Sequence, residues 1–267
     1  MSVDLLQSGK SNTNYKLVLS DGIKYVLRLY SHGNAAREAY VMSLVEDLVP
    51  VPSEVNRGEN WAVFTFLDGE LLENAPEHSD KAAEALARIA TLDFESPGIV
   101  NADGTISAFP FGGVRGFISE RLGSTEVRQW IGPRVVDVIF EVMEKEAHRL
   151  EELESESHLV HGDFNPSNIL IRGGVVTGIL DWEYCHSGTP YMDIGNLLRH
   201  THPKYHSKIK AGLEAGGMCL PIGWRERAEL VDLTSHLEFL TSNRSASFKK
   251  QCVARVFKLM RNYDYGI

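Results

Sequence analysis

Residues 168–181, NILIRGGVVTGILD, restrict the possible folds more than any other stretch. Two apolar runs, NILI and VVTGIL, flank Arg172-Gly173-Gly174, and paired glycines between β-favouring runs signal a tight hairpin. Counted from the turn centre, Asn168 lies five or six residues back and Asp181 seven or eight forward. Antiparallel pairing therefore brings both to the same open end of the ladder. Two oxygen ligands meeting there suit a hard cation such as magnesium, which shares its shell with phosphates. Asp163, in the loop HGDFNPS that leads into that end, is free to act as a base or orienting group for a hydroxyl.

The order of elements sets the fold class. Tyr15 to Leu19 and Ile23 to Tyr30 surround Asp21-Gly22, a second hairpin signal. Residues 35–48 follow with helical spacing, with Ala36, Tyr40, Leu44 and Leu48 on one face, and Pro50 and Pro52 end that helix. NWAVFTFLDG is another strand. Ser79 is the expected N-cap of a helix to about Thr91, and residues 133–153 read as one long amphipathic helix opened by Pro133. From about residue 190 to 263 the pattern is mostly helical. Strands first and helices afterwards predict an α+β chain in two lobes, residues 1–69 and 70–267.

The 267 residues suffice for such a pair of lobes, and their 27 basic against 36 acidic side chains disfavour a nucleic-acid partner. No apolar run approaches the length of a membrane span and no signal peptide is visible, so no membrane partner is expected. Cys185, Cys219 and Cys252 match neither a disulfide framework nor a zinc spacing, which points to a cytoplasmic location.

Asp163 and Asn168 are separated by four residues, the spacing of the protein-kinase catalytic loop. HGDFNPSNIL together with ILDWEYCHSGTPYMDIGNLLR resembles the aminoglycoside phosphotransferase and choline kinase family, a branch of the protein-kinase-like fold. The resemblance is dense from His161 to Arg199. It implies that Asp163 is the catalytic aspartate and that Asn168 and Asp181 are metal ligands. It places Asn165 either as a donor to the γ-phosphate or as a brace for the loop. His161 then packs the loop, and Asp193 is either a helix N-cap or part of the chemistry.

The same resemblance makes the first lobe the nucleotide lobe. SGKSNTNY has no glycine-rich pattern, but Ser11 and Asn12 are candidates to donate to phosphates. YVLR, residues 25–28, has the spacing of the kinase VAIK strand, with Val26 toward the adenine, Arg28 toward the phosphates and Glu38 as the ion-pair partner of Arg28. TFLDG is the expected hinge, with Phe66 and Leu67 facing the base of ATP or GTP. A cationic, aminoglycoside-like acceptor would need acidic residues, and Glu183, Asp232 and Glu238 are the candidates. Choline, homoserine or a sugar are the alternative acceptors. A nucleotide-binding protein without turnover is the alternative class, because Arg28 stands where active protein kinases have Lys. The absence of a glycine-rich loop and of an APE segment argues against a protein kinase.

Overall fold

The computed structural model describes residues 2–6, 12–31 and 35–263. Strands β1 (Ser2–Leu5), β2 (Asn12–Val18) and β3 (Lys24–Tyr30) begin an antiparallel sheet built around the Asp21-Gly22 hairpin. Gly22 has φ of +86°, a conformation the turn needs and a side chain resists. Asn14 stands opposite Arg28 across the ladder. After helix α1 (Ala35–Val45) the sheet is completed by β4 (Glu54–Arg57) and β5 (Trp61–Thr65), in the order β1-β2-β3-β5-β4.

Helix α1 buries a different face from the one its apolar spacing predicts. Ala35, Glu38, Val41, Met42 and Val45 are buried, whereas Ala36, Tyr40 and Leu44 are only partly so. A carboxylate on the inner face is the cause. Glu38 turns inward to reach Arg28 on β3 at 3.3 Å, and the helix rotates with it.

The chain then enters a helical region. Strand β6 (Glu70–Leu71) leads to α2 (Ser79–Ile89) through a single 3-10 turn, Pro76–His78. Ser79 is already helical, so it does not cap the helix; its hydroxyl donates to the Pro76 carbonyl at 2.6 Å. A small ladder, β7 (Ile99–Val100) with β8 (Ile106–Ser107), precedes helices α3 (Val114–Gly123), α4 (Thr125–Ile131), α5 (Pro133–Lys145) and α6 (Ala147–Ser155). The predicted helix 133–153 is thus two. The inward stripe of α5 reaches a polar residue at Glu146, where the chain leaves helical geometry and the side chain pairs with Arg149 at 2.7 Å.

Strands β9 (His158–Val160), β10 (Ile169–Arg172), β11 (Val175–Ile179) and β12 (His186–Gly188) follow. They form two small sheets, β11-β10-β6 and β12-β9. Helices α7 (Tyr191–His200), α8 (His206–Ala215), α9 (Trp224–Thr241) and α10 (Ala246–Asn262) close the fold. The fold class is the expected one, α+β with a β-rich first lobe and a helical second.

Two apolar clusters support this frame. One runs from Val41 and Phe64 through Leu72 and Leu86 to Ile169 and Trp182, directly beneath the hairpin β10–β11. The other joins α3, α5 and α9 through Ile118, Leu122, Ile139, Leu233 and Leu237. Each such fully buried side chain contributes roughly 1.5–3 kcal/mol. Among the described residues no helix is long and apolar enough to cross a membrane.

Candidate active site

The open end of the hairpin gathers the polar groups. Ile169 pairs with Ile179, and beyond that pair the Leu180 N–H donates to the Asn168 carbonyl at 2.8 Å. Asn168 and Asp181 are therefore adjacent. Asp181 has φ of +68°, the one positive value among the described non-glycine residues. A left-handed aspartate costs about 1–2 kcal/mol, so neighbouring structure must hold it there. Its carboxylate accepts from the Arg28 guanidinium at 2.5 Å.

Asp163 is fixed as firmly. Asn165 Nδ2 donates to one carboxylate oxygen at 2.8 Å and Asn168 Nδ2 to the other at 2.9 Å. Asn196 Nδ2 lies 3.4 Å from the first oxygen. Three neutral amides orient the carboxylate, and it forms no ion pair among the described residues. Asn165 also accepts from the Ser167 N–H at 2.9 Å, so its amide braces the loop at both ends. His161 is fully buried, rests 4.5 Å from Trp182 centroid to centroid, and meets the Leu180 carbonyl through Nε2 at 3.0 Å. Burial lowers its pKa, which keeps it neutral as a packing group.

Asp193 neither caps α7 nor faces the cleft. It sits within the first turn of the helix, and its carboxylate accepts from the His161 N–H at 2.6 Å and the Gly162 N–H at 2.9 Å. That clamp holds a sharp bend: Gly162 has φ of +83°, and a Cβ there would stand 2.4 Å from the Tyr184 carbonyl oxygen. Replacing Asp193 by Asn exchanges one acceptor for a donor against an N–H. We expect kcat to fall by roughly 10²-fold through misplacement of Asp163.

The same substitution should alter the response to pH. Burial pushes the Asp193 carboxyl up to about 7, against the lowering by the backbone N–H groups of His161, Gly162 and Phe164. The unfolded value is ~4, so between these limits the folded protein keeps a proton that the unfolded chain releases. The contribution of this group to stability is therefore full below about pH 4 and is lost as pH rises through about 7. Thermal unfolding across that range should show a flatter profile in Asp193→Asn than in the parent. Superimposable slopes would refute the assignment.

Arg28 ties the lobes together. Its side chain is 9% exposed, with Glu38 at 3.3 Å, Asp181 at 2.5 Å and Glu183 at 3.6 Å. Burial acts to lower its pKa, but Glu38 and Asp181 outweigh that and raise it, so the guanidinium stays charged. Asn12 donates to Glu183 at 2.6 Å across the same gap. Ser11 lies outside the described residues. Val26, Phe66 and Leu67 line a cavity of about 460 Å³ that also touches Arg28, Asn168 and Asp181. It opens into a polar cleft of about 550 Å³ that contains Asp163.

The acidic wall expected for a cationic acceptor is not assembled. Asp232 is buried behind the cleft, paired with Arg199 and, at 3.2 Å, with His236. Burial acts to raise its pKa, but His236 and Arg199 hold it below the usual carboxylate range. Glu238 is exposed and does not line the cleft, because the next residue, Phe239, takes the inward position. Glu183 does line the cleft, but beside Arg28 and Asp181.

Other residues complete the site. Arg37 donates to the carbonyls of Val100 at 2.7 Å, Glu183 at 3.2 Å and Cys185, and so pins the segment after Asp181. Asn196 accepts from Arg199 at 2.8 Å, linking Asp163 to the Arg199–Asp232 pair. The signal was present in DIGNLLR, which sets Asp193, Asn196 and Arg199 at intervals of three on one helical face.

Among the described residues no group of three or more His, Cys, Asp or Glu stands together as a metal site. The Asp181 carboxylate and the Asn168 amide oxygen do fit a hard cation that completes its shell with phosphate oxygens and water. The Asn168 amide nitrogen is committed to Asp163, which leaves its oxygen for that purpose.

The sequence matches the profile of the phosphotransferase enzyme family over residues 2–230. Among curated proteins it is similar to acyl-CoA dehydrogenase family member 11 of Gallus gallus, 28% identical over 73% of this chain and 27% of that protein. It is also similar to hygromycin-B 4-O-kinase of Escherichia coli, 24% identical over 66% of this chain and 56% of the kinase. The chain thus spans about a quarter and just over half of the lengths of these relatives. Among solved structures, aminoglycoside phosphotransferase APH(4)-Ia in complex with AMP-PNP and hygromycin B superposes with a TM-score of 0.69. The two are 18% identical, over 97% of this chain and 93% of that one.

Proposed function

The chain belongs to the phosphotransferase enzyme family, and from that premise we propose that it is a magnesium-dependent kinase of a small molecule, transferring the γ-phosphate of ATP to a hydroxyl. One observation carries the reading. Asp163, oriented by three amides and without an ion-pair partner among the described residues, shares a cleft with Asn168, Asp181 and Arg28. In the reaction the acceptor hydroxyl oxygen bonds to the γ-phosphorus as the bond from phosphorus to the β–γ bridging oxygen breaks. ADP leaves with that electron pair, and the hydroxyl proton passes to Asp163. Val26, Phe66 and Leu67 receive the base, and Arg28 contacts the phosphates. Asp181 and Asn168 would hold the magnesium ion, which would supply neutralisation of the phosphate charge.

The acceptor is a small hydroxyl-bearing molecule. Similarity to hygromycin-B 4-O-kinase favours an aminoglycoside, whereas the placement of Asp232 and Glu238 withdraws the acidic contacts such a polycation would use. The second reading is a nucleotide-binding protein without turnover, and the Arg28–Asp181 ion pair favours it by engaging the carboxylate meant for a cation.

Direct transfer separates the two. Purified protein would be incubated with magnesium and ATP or GTP, and with aminoglycosides, choline, homoserine, sugars, hydroxy acids and sugar phosphates. Mass spectrometry should find one acceptor class gaining a single phosphoryl group, and EDTA should stop the gain. Nucleotide binding with no transfer to any acceptor would favour the second reading.

A further inference from the structure

Charge in the catalytic cleft is divided by chain segment. The carboxylates of Glu73, Asp163, Asp181 and Glu183 come from the segment after β6 and from the loops flanking the hairpin β10–β11, beside Arg28. The lining from α7, α9, α10 and the turn between the last two is Arg199, His200, Phe239, Arg244 and Phe248, with no carboxylate among them. Arg199 is committed to Asp232 and Asn196. Arg244 is not: it is half-buried in the turn between α9 and α10 and pairs with no carboxylate among the described residues.

What holds Arg244 is aromatic. Its guanidinium lies 4.9 Å from the ring centroid of Phe239 and 4.8 Å from that of Phe248, and the two rings meet edge to face at 5.3 Å. With their centroids only 5.3 Å apart and their planes nearly perpendicular, both rings approach the guanidinium from one side, a contact that engages its charge without using its N–H donors. A guanidinium with no carboxylate partner among the described residues is complementary to a carboxylate or a phosphate, which its fork of donors can meet. The same rings offer an apolar surface beside it. A polycation would instead meet like charge at Arg244, with Asp232 out of reach behind Arg199.

We propose that the phosphoryl acceptor is an anionic hydroxyl compound, its carboxylate or phosphate ester held by Arg244, its apolar part against Phe239 and Phe248, and its hydroxyl toward Asp163. The proposal deepens the kinase reading and rests on it.

Fractionation by charge tests it and isolates the acceptor at the same time. A small-molecule extract from cells expressing the protein would be separated on anion- and cation-exchange resins. Each fraction would be incubated with the enzyme, magnesium and γ-labelled ATP. Label should move to a compound retained by the anion exchanger. Phosphatase treatment of the extract beforehand abolishes that acceptor if its anion is a phosphate ester and spares it if it is a carboxylate. With the acceptor isolated, Arg244→Gln removes the charge while leaving a polar side chain at the position. Its KM for the acceptor should rise about 10- to 100-fold with kcat little changed, and Arg244→Lys should recover part of the loss. Transfer to a compound retained only by the cation exchanger, or to an uncharged one, overturns the proposal. An Arg244→Gln enzyme with unaltered KM for the anionic acceptor overturns it as well. Failure of the kinase reading is distinct: no fraction then yields label transfer that Asp163→Asn removes.

Discussion

Asp163→Asn should lower kcat for phosphoryl transfer by about 10³-fold, within the range that a positioned general base contributes. The expectation follows from what surrounds the carboxylate. Asn165, Asn168 and Asn196 all approach it with amide nitrogens, so both oxygens are acceptors. An asparagine there keeps the shape but must turn an NH₂ toward one of those donors, and it cannot take up the hydroxyl proton. The loss should therefore appear in kcat and kcat/KM together, the pattern of an interaction made in the transition state. Nucleotide affinity should change little, because the cavity lined by Val26, Phe66 and Leu67 does not include Asp163. Transfer rates from pre-steady-state quench and nucleotide binding from calorimetry separate these quantities. A variant that still transfers within tenfold of the parent would remove Asp163 from the chemistry.

The parts of the site set by short-range spacing are legible in the sequence. Asn168 and Asp181 converge because the two strands leaving the Gly173-Gly174 turn pair antiparallel, although a bulge between Leu170 and Ile171 shifts the register on the way to the open end. What could not be read depended on partners far away in the chain. The inner face of α1 is decided by Glu38 seeking Arg28, and apolar periodicity has no term for a buried ion pair. Asp232 carries the same side chain as a substrate ligand would, but Arg199 on another helix neutralises it. Asp193 serves the bend at Gly162, a backbone contact invisible to side-chain pattern. Arg244 acquires its setting from Phe239 and Phe248 on two different helices, and a sequence shows their spacing but not their approach.

Arg28→Met should destabilise the protein by about 3–5 kcal/mol as well as abolish useful turnover, because it strips the common cation from three carboxylates. Most of the cost falls on Glu38, whose side chain is 4% exposed and would keep only the Tyr30 hydroxyl at 2.5 Å and the Trp182 N–H at 3.3 Å. For a chain of this size that loss lowers Tm by on the order of 10 °C. The stability effect and the catalytic effect have different origins, so a second substitution should part them. Glu38→Gln in the Arg28→Met background removes the stranded charge and should restore most of the Tm, while leaving the phosphates without their guanidinium and the enzyme inactive. A double-mutant cycle in Tm and in kcat/KM measures both couplings. Arg28→Lys is expected to fall between. One ammonium carries the charge but cannot reach Glu38 and Asp181 with separate, fixed donors, so it should recover stability more than rate. If Arg28→Met instead unfolds at the temperature of the parent, water already compensates Glu38 and the buried cluster is not what joins the lobes. If Arg28→Lys exceeds the parent in kcat, the Arg28–Asp181 contact restrains turnover rather than supporting it.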